Sequence, residues 1–176
     1  AQGIAAGAYD IAIACGVESM SRVPMGSSKI GKDSVGPRAA ARYAPGLVPQ
    51  GVSAELIGAR WGLARAELDQ FAARSHQRAA AARAAGQFKR EIVPIEVDGR
   101  IVAEDETIRP ATTAEALAAL QPAFRSEEMS ARFPQIVWQT TAGNSSQMTD
   151  GASALLLMSE RAAERLGLRP RARFVS

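Results

Sequence analysis

This sequence is poor in cysteine and histidine, with one of each, Cys15 and His76, among 176 residues. A lone cysteine cannot close an intramolecular disulfide, which fits a reducing compartment. One histidine and one cysteine cannot build a tetrahedral metal site, so no metal is expected. Aromatic residues make up 5% of the chain although 47% is hydrophobic, much of it alanine. The core is therefore expected to come from closely packed helices rather than bulky rings. No run approaches the ~18 uninterrupted apolar residues of a membrane span, and the first residues show no signal-peptide pattern. The expectation is a cytoplasmic protein without a membrane partner. The 21 basic and 18 acidic side chains leave a net charge of only +3, and the arginines are scattered. Nucleic-acid binding needs a concentrated basic face with stacking groups, so no nucleic-acid partner is expected. There is also no G-x-G-x-x-G between strand and helix and no phosphate loop with its lysine, which removes dinucleotide and nucleoside-triphosphate sites.

What is present centres on residues 140–158, TTAGNSSQMTDGASALLLM. Small and polar residues, Ala142-Gly143-Asn144-Ser145-Ser146, allow a tight loop that Asp150-Gly151 closes. The apolar run from Ala152 to Met158 reads as a strand buried on both faces. A polar loop at the mouth of a buried sheet is a common place for a ligand in an α/β protein.

In chain order, residues 1–8 read as the tail of a helix ended by Gly7. Asp10 to Gly16 forms a second buried-strand candidate, with Gly16-Val17-Glu18-Ser19-Met20-Ser21 as its exit loop. Residues 22–51, rich in Gly, Pro and Ser, are either a functional lid or a plain surface excursion. Val52, Leu56, Ile57 and Ala59 share a helical face before Gly62. A longer helix over about 66–85 carries Leu68, Phe71, Ala72, Ser75, Ala79 and Ala82 at helical spacing, with Gly86 as its cap. Glu91 to Val97 reads as an edge strand broken by Pro94, followed by an Asp98-Gly99 turn. Thr112 and Glu115 have capping-box spacing for a short helix running to Leu120. The apolar end of Arg132-Phe133-Pro134-Gln135-Ile136-Val137-Trp138 should be buried. Ser159 caps a helix ended by Gly167, and Ala172 to Val175 begins another strand. The chain opens inside a helix and stops inside a strand, so it reads as part of a longer protein.

Three residues invite chemistry. His76 lies mid-helix beside Ser75, which it cannot face because adjacent helical residues diverge; it is expected to be a surface or packing histidine rather than a base. Cys15 has no neighbouring basic residue to activate it and is expected to be buried and inert. Arg109, fixed between Ile108 and Pro110, either holds a phosphate or nucleotide-like ligand or makes a structural ion pair with Glu104, Asp105 or Glu106.

Three stretches in order resemble the thiolase family: G-V-E-S-M-S, LDQFAARSHQRAAAARAAGQFKREIVPIEV, and the 140–158 stretch. The last is similar to the family's T-A-G-N-A-S…(N/D)-G-A motif, with Ser145 and Gln147 departing from its commonest residues. The resemblance covers essentially the whole chain. It implies an α/β thiolase fold, layered αβαβα and here incomplete. Residues 1–21 would be part of the N-terminal domain and 22–139 an α-rich loop domain covering coenzyme A, with an insertion near 126–138. Residues 140–171 would be the remainder of the N-terminal domain, and 172–176 the first strand of the C-terminal domain. By the same resemblance Arg109 lies along coenzyme A, and Phe124 of P-A-F lines its pantetheine or adenine part. Ser146 contacts the pantetheine, Ala142 and Ser145 share its loop, and Met20 lies near the acyl tunnel. A core role explains Phe124 and Met20 equally well.

The resemblance further implies cleavage of 3-ketoacyl-CoA by free CoA to give acetyl-CoA and a shortened acyl-CoA, or the reverse condensation. A cysteine thiolate takes the acyl group, a histidine activates it and a second cysteine moves protons. The first cysteine belongs upstream of Ala1 and the G-H-P and C-x-G motifs downstream, so no catalytic residue is assigned in this chain, which alone is expected to be inactive. Coenzyme A is a substrate rather than a permanently bound cofactor. The partners implied are CoA, acyl-CoA thioesters and a second or further copy in a homodimer or homotetramer. Y-D-I-A-I-A-C-G-V-E-S-M-S-R-V-P-M-G, A-R-Y-A-P-G-L-V and S-A-R-F-P-Q-I look most like actinobacterial thiolases acting on steroid side-chain thioesters. Two other readings stay open: a non-catalytic CoA- or lipid-binding protein, and an oligomerisation module.

Overall fold

The computed structural model describes residues 1–33 and 35–175 and, of Ser28, the backbone only. They form two compact units, residues 1–30 with 148–176, and residues 31–147.

The first unit begins with helix α1, Gln2–Ala5, and strand β1, Ile11–Ser19; it ends with strand β4, Asp150–Met158, and helix α7, Glu160–Arg165. β1 and β4 pair antiparallel along their whole length, from Ile11 opposite Met158 to Ser19 opposite Asp150. The period of two puts Ile11, Ile13, Cys15 and Val17 on one face with Met158, Leu156, Ala154 and Ala152. Both strands run further than the sequence suggests. Val17, Glu18 and Ser19 belong to β1 rather than to an exit loop, and Asp150-Gly151 opens β4 rather than closing a turn. The expected burial fails: Ile13 and Leu155 are each 70% exposed, Val17 80%, and Cys15 is exposed as well. The physical reason is layer number. A two-stranded ribbon has no other sheet or helix layer to cover it, and the strands pair only with each other among the described residues. α7 behaves as expected, with the Ser159 hydroxyl accepting from Ala162 N–H at its start and Ala162 and Ala163 buried. Residues 172–175 carry no strand, and Phe174 and Val175 are exposed; Ser176 lies outside the described residues.

The second unit is helical. After a 3-10 turn at Ser27–Lys29, helices α2, Pro37–Arg42, α3, Gln50–Trp61, and α4, Arg65–Ala84, follow in turn. The Glu67 carboxylate accepts from Ala64 N–H at 2.8 Å and so satisfies a free amide at the start of α4; Gly86, at φ +71°, closes its end. The buried faces are rotated from those expected. α3 buries Gly51, Val52, Glu55 and Gly58 while Ile57 is exposed. α4 buries Asp69 and Ala73 while Phe71 and Ser75 face solvent. Two acids, Glu55 and Asp69, thus sit on buried faces outside the positions that apolar periodicity marks.

Strands β2, Ile95–Val97, and β3, Arg100–Val102, form a hairpin. Its two turn residues, Asp98 and Gly99, both have positive φ (50° and 75°), as a type I′ turn requires. Residues 91–94 are not strand. Helix α5 spans Ala114–Ala118, capped by Thr113 and not Thr112: its hydroxyl accepts from Ala116 N–H at 3.2 Å. Helix α6, Glu127–Arg132, was not evident in the sequence, although Ser126 caps it. Beyond it Ile136 is buried, but Val137 is 70% exposed.

Candidate functional site

The loop from Gln139 to Gln147 is held by the two buried acids. Glu55 Oε1 accepts from the backbone N–H of Gln139 (2.8 Å) and of Thr140 (2.6 Å). A carboxylate taken out of water needs such donors, and each amide gains a charge-assisted bond. On α4, Asp69 receives Arg65 Nε at 2.7 Å on one oxygen and Asn144 Nδ2 at 2.9 Å on the other. Arg65 continues through Nη2 to the carbonyls of Leu117 (2.6 Å) and Leu120 (3.0 Å) at the end of α5. Arg65, Asp69 and Asn144 therefore tie α4, the end of α5 and the loop into one network.

Inside the loop Thr141, fully buried, is the hub. Its N–H donates to Asn144 Oδ1 (2.7 Å), and its hydroxyl oxygen accepts from Gly143 N–H (3.2 Å) and Asn144 N–H (3.3 Å). Ser145 Oγ donates to the Thr141 carbonyl at 2.6 Å. Gly143 is required by packing: a Cβ there would lie 2.5 Å from both Leu117 Cδ2 and Leu120 Cδ1. The loop also pairs with the 122–123 segment, through a bridge between Pro122 and Thr141 and a 2.9 Å bond from Ala123 N–H to the Thr140 carbonyl.

The strap of residues 105–109 is tied to this loop. Gln147 Nε2 donates to the Thr107 carbonyl (2.8 Å). His76 Nδ1 accepts from Arg109 N–H (3.2 Å). Asp105 Oδ1 accepts from the Thr107 hydroxyl (2.6 Å) and Thr107 N–H (2.8 Å). Those two bonds, with a smaller contribution from Arg83, hold the Asp105 carboxyl below its ordinary value of 3.8.

The residues singled out from the sequence fall into distinct settings. Arg109 is exposed, and its guanidinium makes no ion pair among the described residues. The alternative partner Glu104 lies 3.7 Å from Arg83 instead. Ala142 and Ser146 are on the outer side of the loop, while Ser145 is half-buried with its donor committed. Among the described residues Ser146 Oγ reaches only the Gln147 carbonyl, at 3.3 Å. Phe124 is half-buried with its ring against Gly51 of α3, where no Cβ could fit. Met20 belongs to the first unit, where its sulfur accepts from Thr149 N–H at 3.4 Å. Next to it, Asp150 accepts from both the N–H and the hydroxyl of Ser21, bonds that lower its carboxyl from the ordinary 3.8. His76 is half-buried and supports backbone, while Ser75 points away from it.

Sequence reasoning missed Glu55 and Asp69. The signal that marks them is an acid set within a stripe of small residues: Gly51, Glu55 and Gly58 on α3, and Asp69 and Ala73 on α4.

Comparison with known proteins supplies the context. Residues 1–161 match the family described as Thiolase, N-terminal domain. A 3-ketoacyl-CoA thiolase of Bacillus subtilis is 42% identical over 190 aligned residues, covering 100% of this chain and 45% of that protein. The dimeric peroxisomal thiolase of Saccharomyces cerevisiae superposes with a TM-score of 0.73 at 35% identity, over 95% of this chain and 41% of its own. Human mitochondrial 3-ketoacyl-CoA thiolase in complex with CoA gives 0.74 at 30% identity, over 96% and 42%. The chain spans less than half the length of these relatives.

Proposed function

The chain belongs to the thiolase family, and from that premise we propose that it forms the coenzyme A-holding part of a 3-ketoacyl-CoA thiolase. One observation carries this reading beyond the family match. The loop bearing Ser146 and the strap bearing Arg109, whose guanidinium has no ion pair among the described residues, are locked to each other through Gln147 and Thr107. An exposed arginine without a carboxylate partner suits the phosphates of CoA, and a hydroxyl on the adjoining loop suits the amides of pantetheine. Ala142 and Ser145 belong to that loop, Phe124 packs against Gly51 of α3, and the family resemblance alone assigns Met20 to the acyl group. Residues 22–139 act as the domain that covers CoA, and the layered αβαβα fold is completed by the remainder of the enzyme.

The full-length enzyme, a cytoplasmic homodimer or homotetramer, breaks the bond between C2 and C3 of a 3-ketoacyl-CoA. A cysteine thiolate takes the acyl group, acetyl-CoA leaves after protonation at its C2, and free CoA then accepts the acyl group from sulfur. These 176 residues by themselves are inactive: His76 is engaged with Arg109, and Cys15 faces Ala154 across the strand pair. The test is an assay of the full-length protein. Acetyl-CoA must appear from 3-ketoacyl-CoA only when free CoA is added, and its absence would sink the reading.

For the acyl group we propose a steroid side-chain thioester. Two of the stretches that suggest it meet, since Arg132 Nη2 donates to the Gly46 carbonyl at 2.7 Å. That contact lets residues 126–138 and 41–48 shape the acyl tunnel together. A strong preference of the full-length enzyme for short-chain 3-ketoacyl-CoA would overturn this choice. A second reading, an assembly module, is favoured by the uncovered β1–β4 faces, where Ile13, Val17, Leu155 and Leu156 are all exposed.

A further inference from the structure

We infer that His76 and Gln147 are positioning residues for coenzyme A: together they clamp the Thr107–Arg109 strap so that the Arg109 guanidinium is presented in advance of binding. The inference rests on the proposed role of Arg109.

The strap has no regular secondary structure of its own. An irregular segment with an arginine in it would ordinarily sample many orientations, and fixing it on binding would cost affinity. Here the strap is held at three of its backbone groups, the Thr107 N–H and carbonyl and the Arg109 N–H. Gln147 takes the Thr107 carbonyl at 2.8 Å, His76 takes the Arg109 N–H at 3.2 Å, and Asp105 takes both donors of Thr107. The anchors come from different places: His76 from the rigid helix α4, and Gln147 from the end of the loop that carries Ser146. Arg109 itself spends only its backbone on the clamp and leaves its guanidinium free of ion pairs among the described residues.

The chemistry of the clamp is specific. His76 must present Nδ1 as an acceptor, so its proton sits on Nε2. An asparagine side-chain oxygen can occupy nearly the same place relative to the helix, whereas alanine or leucine cannot accept. Gln147 must donate, which methionine of similar shape cannot do. The clamp therefore predicts an affinity effect that follows hydrogen-bonding capacity rather than side-chain bulk. It also predicts that the effect passes through a residue whose side chain hydrogen-bonds to neither His76 nor Gln147 among the described residues.

The experiment measures kcat and KM for CoA in the full-length enzyme for the wild type, Arg109→Ala, His76→Leu, His76→Asn, Gln147→Met and the double variant His76→Leu/Arg109→Ala. Arg109→Ala leaves the backbone N–H in place and should raise KM for CoA about tenfold. His76→Leu and Gln147→Met should each raise it roughly three- to tenfold with kcat at saturating CoA unchanged, and His76→Asn should restore most of the loss. In the Arg109→Ala background, His76→Leu should add nothing further, since its effect runs through that guanidinium. If Arg109→Ala alters KM but His76→Leu does not, or if His76→Asn fails to rescue, the clamp is wrong while the CoA reading stands. The clamp is equally wrong if the His76 and Arg109 effects simply add. If Arg109→Ala leaves KM for CoA unchanged, the reading of Arg109 itself falls, and the clamp with it.

Discussion

Asp69 shows most clearly what a single side chain does here. It is 1% exposed and takes a cation on one oxygen and an amide on the other. Removing it takes the carboxylate from Arg65 Nε and leaves Asn144 Nδ2 with only the Gln139 carbonyl at 3.2 Å among the described residues. Asp69→Ala is therefore expected to destabilise residues 31–147 by about 3 kcal/mol, the cost of breaking a buried pair from one side. Asn144→Ala should cost less, and the two losses should be less than additive because they share one bond. Urea unfolding of the two single variants and the double variant measures this; strict additivity would mean the network does not act as a unit. Gly143 is the steric counterpart. A methyl group there meets Leu117 and Leu120 at 2.5 Å, so Gly143→Ala should cost about 1–3 kcal/mol through overpacking. Trimming Leu120 to Ala in the same chain should recover part of it, read as a shift in the denaturation midpoint.

At the scale of elements, the start of β4 is fastened to the end of β1 by Asp150 and Ser21. The Asp150 carboxyl is lowered from 3.8 by the Ser21 hydroxyl and N–H. A lowered folded value means that the carboxylate stabilises the fold at pH above 3.8 and that this contribution disappears as pH falls through the lower folded value. Asp10, held by Arg161 and Ser159 where β1 meets α7, shifts in the same direction and acts in the same window. Replacing Asp150 with Asn should thus lower stability at neutral pH and flatten its decline on acidification. Thermal melts of wild type and variant from neutral pH to below 3.8 should converge at the acid end. Parallel curves would show that the Ser21 bonds do not favour the charged form.

At the scale of the molecule, the two units differ in what they bury. Residues 31–147 enclose Val52, Ala73, Leu117, Ile136 and Thr141, whereas the β1–β4 ribbon displays Ile13, Val17, Leu155 and Leu156. Apolar strand faces without a covering layer associate with other surfaces. The isolated 18.5 kDa chain is therefore expected to scatter light as a species larger than a monomer. Ile13→Lys with Leu156→Lys, a directly opposed pair on one face, should reduce that mass. An unchanged mass would place the association elsewhere. Adding CoA should leave the assembly state of this chain unaltered if its binding and its association are separate properties.

The sequence by itself was enough to locate α3, α4 and α5 but not α2 or α6, and it located the Asp98-Gly99 turn, the Ser159 cap and the 140–158 stretch whose thiolase resemblance the family match supports. These are local signals: turn chemistry, capping hydroxyls and a motif read along the chain. The facing of α3 and α4 was not legible from apolar periodicity, because alanine and glycine around these helices blur any apolar stripe and leave only the acid among small residues as a marker. Only tertiary structure could decide that Glu55 holds the amides of residues 84 and 85 positions away, or that His76 supports Arg109, 33 positions on. It also decided that the apolar strands stand uncovered, because an apolar run records that a residue can be buried, while burial itself requires a second layer to be there.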